Sequence, residues 1–395
     1  MRNFYFYKQQ SVLLAIILSS MMMLQLFTEG SYQYIQMSSA IAIGSALFLL
    51  ISKRSTKKIN SLVLALYFVL ISIILINSYR SIDTIGMSAL LRGSAVIVAL
   101  VCGIFIAAVQ NSNLLKDTLT HMSQIFLIVL FFVLFDNDRL WTRLAGHLHP
   151  NLWGFLAASF VPGVMFLKTG IIRKIIIIFA YFYFILFEFQ TRGSFIWSAL
   201  VILLFTSAYL LSPRYSYSSA LIRLAIIWLI VFAAFFVLSF FGYYLLFEVL
   251  DMNSSSRGIG SGLSGRTEIW ASVLDKFLES PLIGHGLDSS RLFVSQYFSE
   301  DLVSTHNTFV TVLFEFGVSG LTVYVLAIIL SLWGVYKHKN FELLAFLLVY
   351  NLSGLTESRP LNVGNPSSLF FLFTLPYCTS LAFKKTDDSK STLKV

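Results

Sequence analysis

Charged residues are scarce in this chain of 395 residues: they make up 12% of it, while 57% is hydrophobic. Soluble domains are about 25% charged and about 45–50% apolar, so this composition excludes an ordinary soluble protein and makes lipid its main solvent. In lipid the backbone must satisfy its own hydrogen bonds, which leaves helices or closed barrels. Barrel strands alternate polar and apolar residues. The runs here, such as 224–247, are continuous, and they predict helices.

Several signatures of other protein classes are also missing. The chain has no Walker A loop and no Rossmann fingerprint, which excludes an ATP-driven pump by its own sequence. We find no Asp-x-Asp pair that would hold a metal-bound nucleotide. We also find no sequence order of Ser, His and Asp that indicates a catalytic triad. Cys102 and Cys378, the only cysteines, lie in apolar runs and do not indicate a disulfide or metal site. His147 and His149 lack partner ligands for zinc, so we expect no metal and no cofactor.

Apolar runs long enough to span a bilayer recur along the chain. The twelve predicted spans centre on 11–28, 35–52, 60–77, 86–109, 118–135, 151–167, 174–190, 194–212, 222–249, 308–336, 341–356 and 366–383. The segments between them are alternately basic and acidic, so the positive-inside rule places both termini in the cytoplasm. The same bias accounts for the net charge of +9, so this charge does not indicate nucleic-acid binding. No signal-peptide cleavage site is evident, and we expect the first helix to be retained.

These spans divide the chain around one long extracytoplasmic loop. That loop starts Gly/Ser-rich, and Arg266–Ser280 then has the apolar spacing of an amphipathic helix. Pro281 and a Gly284-His-Gly286 turn follow, and a long ordered loop in a compact protein is usually functional. The predicted regions are 1–250 with spans one to nine, the loop 251–305, 306–384 with spans ten to twelve, and a cytoplasmic tail at 385–395.

Three polar residues near the outer face of the predicted bundle are candidates for chemistry. Arg192 lies in a short turn between two apolar runs, where it either snorkels to lipid phosphate or binds an anionic ligand. Arg266 begins the loop helix, where the helix dipole disfavours a cation. An anion held by the guanidinium and the backbone amides would explain this placement. His306 stands where the loop re-enters the membrane, either as a cap or as a base, because imidazole accepts a proton near neutral pH.

Around these residues the sequence resembles the O-antigen ligase and O-antigen polymerase superfamily of bacterial envelope enzymes. The ligase pattern is His, then Asn, Ser or Gln, nine residues, Gly, two residues, and Gly, Thr or Tyr. His306-Asn307, 308–316, Gly317 and Gly320 match it in full. The segments 264–270 and 280–286 resemble a second block of the superfamily, and Thr191-Arg192 at the start of a helix resembles a third.

The resemblance implies an all-α integral membrane protein of the bacterial inner membrane, with about twelve transmembrane helices in a GT-C-like fold. It implies a metal-independent inverting glycosyltransferase whose active site is on the periplasmic face. The donor would be a glycan on undecaprenyl diphosphate, bound by Arg192 and Arg266. His306 would deprotonate the acceptor hydroxyl. Membrane lipids and a chain-length regulator are further partners that the superfamily suggests.

Two members of the superfamily differ only in their acceptor. We favour a polymerase, which joins lipid-linked repeat units, because the chain length, the His306 block and the loop 356–361 look closer to that branch. A ligase, which uses lipid A–core, shares the chemistry. A lipid or solute transporter or flippase would show inverted repeats and broken midplane helices, which we do not find.

Further candidates for the substrate cavity are Asn307, Glu357, Arg359, His149 and Asn151. Candidates for a buried charge pair are Arg92 and Glu188.

Overall fold

All the regular secondary structure that can be described in this protein is helical. A computed structural model describes residues 10–19, 58–109, 112–135, 150–185, 192–210, 266–298, 304–358 and 365–385, and at Asn151 and Arg192 it describes the backbone only. The helices in these ranges are α1 (Gln10–Ser19), α2 (Ser61–Arg80), α3 (Ile82–Ile85), α4 (Met87–Val109), α5 (Ser112–Phe135), α6 (Pro150–Met165), α7 (Ile171–Tyr183), α8 (Arg192–Leu210), α9 (Arg266–Phe277), α10 (Ser289–Tyr297), α11 (Thr308–Lys337), α12 (Phe341–Ser353) and α13 (Pro366–Ala382).

The helices agree with the apolar pattern of the sequence. A helix overlaps every predicted span except 35–52 and 222–249, which are outside the described residues. Within those residues, α2, α4 and α11 are long and apolar enough to cross a membrane. The all-α class is therefore confirmed for the described residues, and these three helices support the membrane-protein class. The number of twelve spans, the GT-C-like arrangement and the regions at 1–250, 251–305, 306–384 and 385–395 stay predictions.

Helix α13 forms the centre of the described bundle. Its side chains are buried on all sides, and it packs mainly against α11 and α4. Gly103 of α4 allows the backbones to come close, since a Cβ there would lie 2.7 Å from the ring of Pro376. Several polar groups around it are paired: the Tyr67 hydroxyl and Thr379 Oγ1 are 2.9 Å apart, and Ser331 Oγ donates to the Leu375 carbonyl at 3.0 Å. Paired polar groups of this kind link apolar helices to one another in lipid.

Helix α11 is broken at Gly317, and the break is filled by another part of the chain. Gly317 has φ 70° and ψ −172°, a backbone conformation that is essentially open only to glycine. The break leaves carbonyl groups without helical partners. The N–H of His285 donates to the Phe314 carbonyl and the N–H of Gly286 to the Glu315 carbonyl, both at 2.9 Å.

The same segment also accepts hydrogen bonds from beyond the break. Val318 and Ser319 donate their N–H groups to the carbonyls of Pro281 and Leu282, at 2.8 and 3.2 Å. The 281–286 turn is thus inserted into α11, and Arg80 of α2 donates to its Gly284 carbonyl at 2.9 Å. Irregular backbone at membrane depth requires such internal pairing. The insertion fixes α9, which directly precedes the turn, against α11.

Candidate active site

Three segments of the chain meet at the carboxylate of Glu357. Arg266 Nη2, at the start of α9, lies 3.4 Å from Glu357 Oε1. His306 Nδ1, just before α11, lies 3.5 Å from Glu357 Oε2. Arg266 also donates from Nη1 to the Thr356 carbonyl at 2.8 Å. Two residues that the sequence singles out for different roles therefore contact the same turn after α12.

Helix α9 holds Arg266 in place through one apolar face and one indole. Ile269, Val273 and Phe277 are buried at helical spacing and pack in a small cluster that includes Phe314 of α11. Trp270 Nε1 donates to the Thr305 carbonyl at 2.7 Å, directly before His306. The helix predicted at 266–280 is thus present as Arg266–Phe277, and its register ties the guanidinium to the histidine segment.

His306 has a backbone conformation that is uncommon for a residue with a side chain. Its φ is 52°, in the left-handed region, and such residues cluster at functional sites. The His306 N–H donates to Ser304 Oγ at 3.1 Å. The next residue, Asn307, caps α11 by accepting from the N–H groups of Phe309 and Val310. Asn307 therefore performs the capping role that the sequence left open for the histidine, and it leaves the imidazole directed toward Glu357.

The 354–358 turn, which carries Glu357, is fixed by its main chain. The N–H of Thr308 donates to the Gly354 carbonyl at 2.7 Å, and Thr308 Oγ1 donates to the Glu357 carbonyl at 2.9 Å. The hydroxyls of Thr311 and Ser358 also contact each other. The backbone of Glu357 is consequently held by α11, independently of what its carboxylate contacts.

Arg192 begins α8, as the sequence predicts. The next residue, Gly193, packs directly on the 354–358 turn, because a Cβ at Gly193 would lie 2.5 Å from Thr356 Oγ1. This contact brings the backbone beside Arg192 to the residue whose carbonyl accepts from Arg266. The start of α8 is therefore adjacent to the cluster formed by Arg266, His306 and Glu357.

The remaining sequence candidates are placed only in part. Asn307 Nδ2 donates to the Leu355 carbonyl at 3.2 Å, which makes it a structural neighbour of the cluster. Asn151 lies in the first turn of α6. His149 and Arg359 are outside the described residues. Within the described residues, no group of three or more His, Cys, Asp or Glu side chains could hold a metal ion together.

A second charged cluster lies behind the 281–286 turn. Arg92 of α4 forms an ion pair with Asp288, and Ser290 Oγ donates to the buried Glu315 carboxylate at 2.6 Å. The sequence suggested Glu188 as a partner for Arg92, but Glu188 is outside the described residues. The partner that the structure provides, Asp288, comes from the loop. The sequence analysis missed Glu315, an acidic residue inside an apolar run, which is the signal that could have identified this cluster.

The groups that meet at Glu357 are a guanidinium, an imidazole and a carboxylate. A carboxylate can only accept, so its contact with Nδ1 assigns the ring proton to Nδ1 and leaves the lone pair of the neutral ring on Nε2. The side chains of Arg266 and His306 are 21% and 18% exposed, whereas that of Glu357 is 6% exposed. A guanidinium and an imidazole are therefore accessible to a ligand, on either side of a buried carboxylate.

A comparison with known families gives a match over a central part of the chain. Residues 176–325 match the O-antigen ligase family model. The match confirms the resemblance to the O-antigen polymerase and ligase superfamily and contains Arg192, Arg266 and His306. Glu357 lies beyond the matched region. No curated protein matches the chain. The family and the apolar helices together indicate a membrane protein of envelope glycan assembly with glycosyltransferase-like activity.

Proposed function

We propose that this protein transfers a glycan from undecaprenyl diphosphate to an acceptor hydroxyl on the periplasmic face of the inner membrane. The observation that carries the proposal is the meeting of Arg266 and His306 at one carboxylate, with the start of α8 beside them. The three residues that the superfamily pattern singles out span more than a hundred sequence positions; the contacts of Arg266 and His306 with Glu357 and of Gly193 with Thr356 support a shared role.

The reaction needs a base and a cationic site for the leaving group. The acceptor oxygen attacks the anomeric carbon of the donor sugar and forms the new glycosidic bond, while the bond from that carbon to the diphosphate breaks. The hydroxyl proton passes to Nε2 of His306. The diphosphate leaves with the bonding electron pair, and Arg266 together with Arg192 stabilises its negative charge. A single displacement of this kind inverts the anomeric centre, and it draws its energy from the donor alone.

The polymerase remains our first choice of acceptor specificity. It is supported by the sequence of the 356–361 loop, whose residues 356–358 lie in the cluster. The ligase is the second candidate, because the matching family model describes an O-antigen ligase. Both use the same base and the same cationic site, so the acceptor is the only difference between them.

One assay distinguishes these two activities. Purified protein in detergent or nanodiscs is incubated with a lipid-linked repeat unit alone, and then with lipid A–core added. A ladder of products without lipid A–core identifies a polymerase, whereas a single transfer that requires the core identifies a ligase. The His306→Ala variant serves as the inactive control. A wild-type protein that transfers to neither acceptor contradicts the proposed function.

A further inference from the structure

We propose that Glu357 is a positioning residue shared by Arg266 and His306, and that donor binding passes it from the arginine to the histidine. The inference rests on the proposed function and adds an order of events to it. In the ligand-free protein the carboxylate contacts both groups. A diphosphate that engages the guanidinium of Arg266 removes one competitor for the carboxylate, so Glu357 holds His306 more firmly once the donor is in place.

The contact distances support sharing rather than two strong bonds. Arg266 Nη2 and His306 Nδ1 lie 3.4 and 3.5 Å from the two oxygens of Glu357. N–H···O bonds are usually 2.9–3.0 Å long, and shorter still when both partners are charged. Neither contact is therefore at its optimum. The same guanidinium donates a shorter hydrogen bond, 2.8 Å long, to the Thr356 carbonyl. The Arg266 side chain is therefore long enough to reach the turn that carries Glu357.

A diphosphate is the better partner for Arg266. Phosphate oxygens match the guanidinium fork and carry more charge than one carboxylate oxygen. When Arg266 turns to the donor, the 6% exposed carboxylate gains little hydration and keeps its contact with His306. Its contact with Nδ1–H of His306 becomes more favourable, and this contact fixes the orientation of the ring and of Nε2. Couplings between two such events are typically about 5-fold to 150-fold.

A purely structural role for the Glu357 side chain is a distinct alternative. The main chain of this residue is already held, because its carbonyl accepts from Thr308 Oγ1 and its N–H donates to the Ser353 carbonyl at 3.0 Å. Replacing the carboxylate by an amide keeps these bonds. The variant Glu357→Gln therefore tests the charge while leaving the 354–358 turn in place.

The experiment measures binding and turnover separately. Undecaprenyl diphosphate without a glycan is titrated onto wild-type protein and onto Glu357→Gln, and initial transfer rates are measured at varied donor concentration. We expect Glu357→Gln to bind undecaprenyl diphosphate about fivefold more tightly, because Arg266 no longer has a competing anion. We expect its kcat to fall about 10-fold to 100-fold, less than the roughly 10⁴-fold known for a tightly bonded orienting carboxylate.

A matched control is available at the other end of α12. Glu342 pairs with Lys116 at 3.3 Å, so Glu342→Gln also removes a paired carboxylate from the same helix region. We expect it to change neither binding nor kcat. Should Glu357→Gln fail to fold, Glu357→Asp provides the same test, because a side chain shorter by one methylene withdraws from both partners.

The possible results are distinguishable from failure of the proposed function. Tighter binding with slower turnover supports the shared carboxylate. Weaker binding in Glu357→Gln would overturn it and make Glu357 part of the donor site or of the fold, and so would an unchanged kcat. A wild-type protein without transferase activity contradicts the proposed function instead, whatever the binding shift between the two proteins.

Discussion

Gly317 allows a direct test of how the 281–286 turn is held in α11. Alanine at this position would have to adopt φ 70° and ψ −172°, and its Cβ would lie 2.6 Å from Ile283 N and still closer to the Leu282 carbonyl. The neighbouring atoms belong to main chain and cannot rotate away. We expect Gly317→Ala to displace the turn and with it α9, which carries Arg266.

Gly86 is a matched control for this substitution. It has nearly the same backbone conformation, φ 86° and ψ −171°, but a Cβ there would meet nothing within 4 Å. Gly86→Ala therefore carries the conformational strain alone, about 1–3 kcal/mol. Gly317→Ala adds the displacement of the turn and the loss of up to four main-chain hydrogen bonds. At about 0.5–1.5 kcal/mol each, these bonds contribute about 2–6 kcal/mol more.

The measurement is the thermal midpoint of the purified variants in the same detergent, with transfer activity as a second readout. We expect the midpoint of Gly317→Ala to lie well below that of Gly86→Ala and its transfer activity to be lost. Equal midpoints for the two variants would show that the inserted turn contributes no stability, and the argument that it fixes α9 on α11 would be wrong.

Three further predictions concern the charged side chains. His306→Ala should lower kcat about 10²–10⁴-fold with donor binding nearly intact, and a His306→Gln variant that retains most of the rate would show that the histidine only positions the acceptor. Arg266→Lys and Arg192→Lys should each weaken undecaprenyl diphosphate binding about 10-fold to 100-fold, because lysine lacks the guanidinium fork; wild-type binding in both would exclude the diphosphate site. Arg92→Ala should lower the thermal midpoint by leaving Asp288 without its ion-pair partner, at a cost of about 3 kcal/mol, and a midpoint unchanged from wild type would contradict this.

The helices and the candidate site residues could be predicted because their signals are local. Apolar spacing identified α9, and the sequence also showed that His306 lies at the end of the same loop. Glu357 was a sequence candidate for the substrate cavity, and the structure brings it to His306. The roles of these residues in catalysis stay predictions.

The features that the sequence did not predict depend on distant partners. The break at Gly317 looks like any glycine in an apolar run until the 281–286 turn supplies its hydrogen bonds. The pairing of Arg92 with Asp288 joins residues nearly two hundred positions apart. Helix α10 was also missed, because only Ser290 and Val294 of its nine residues are buried, which is too few for a clear apolar period.

The position of α13 has a consequence for the biogenesis of the protein. Among the described helices, this central helix follows every helix that it contacts, namely α2, α4, α6, α11 and α12. The partners enter the membrane before the segment that fills the space between them has been synthesised. The hydroxyls of Tyr67 and Ser331 form hydrogen bonds with α13 in the finished bundle. Before α13 is inserted, these hydroxyls lack those partners. Newly made chains that stop before residue 366 therefore lack their core, and we expect quality-control proteases of the membrane to degrade them.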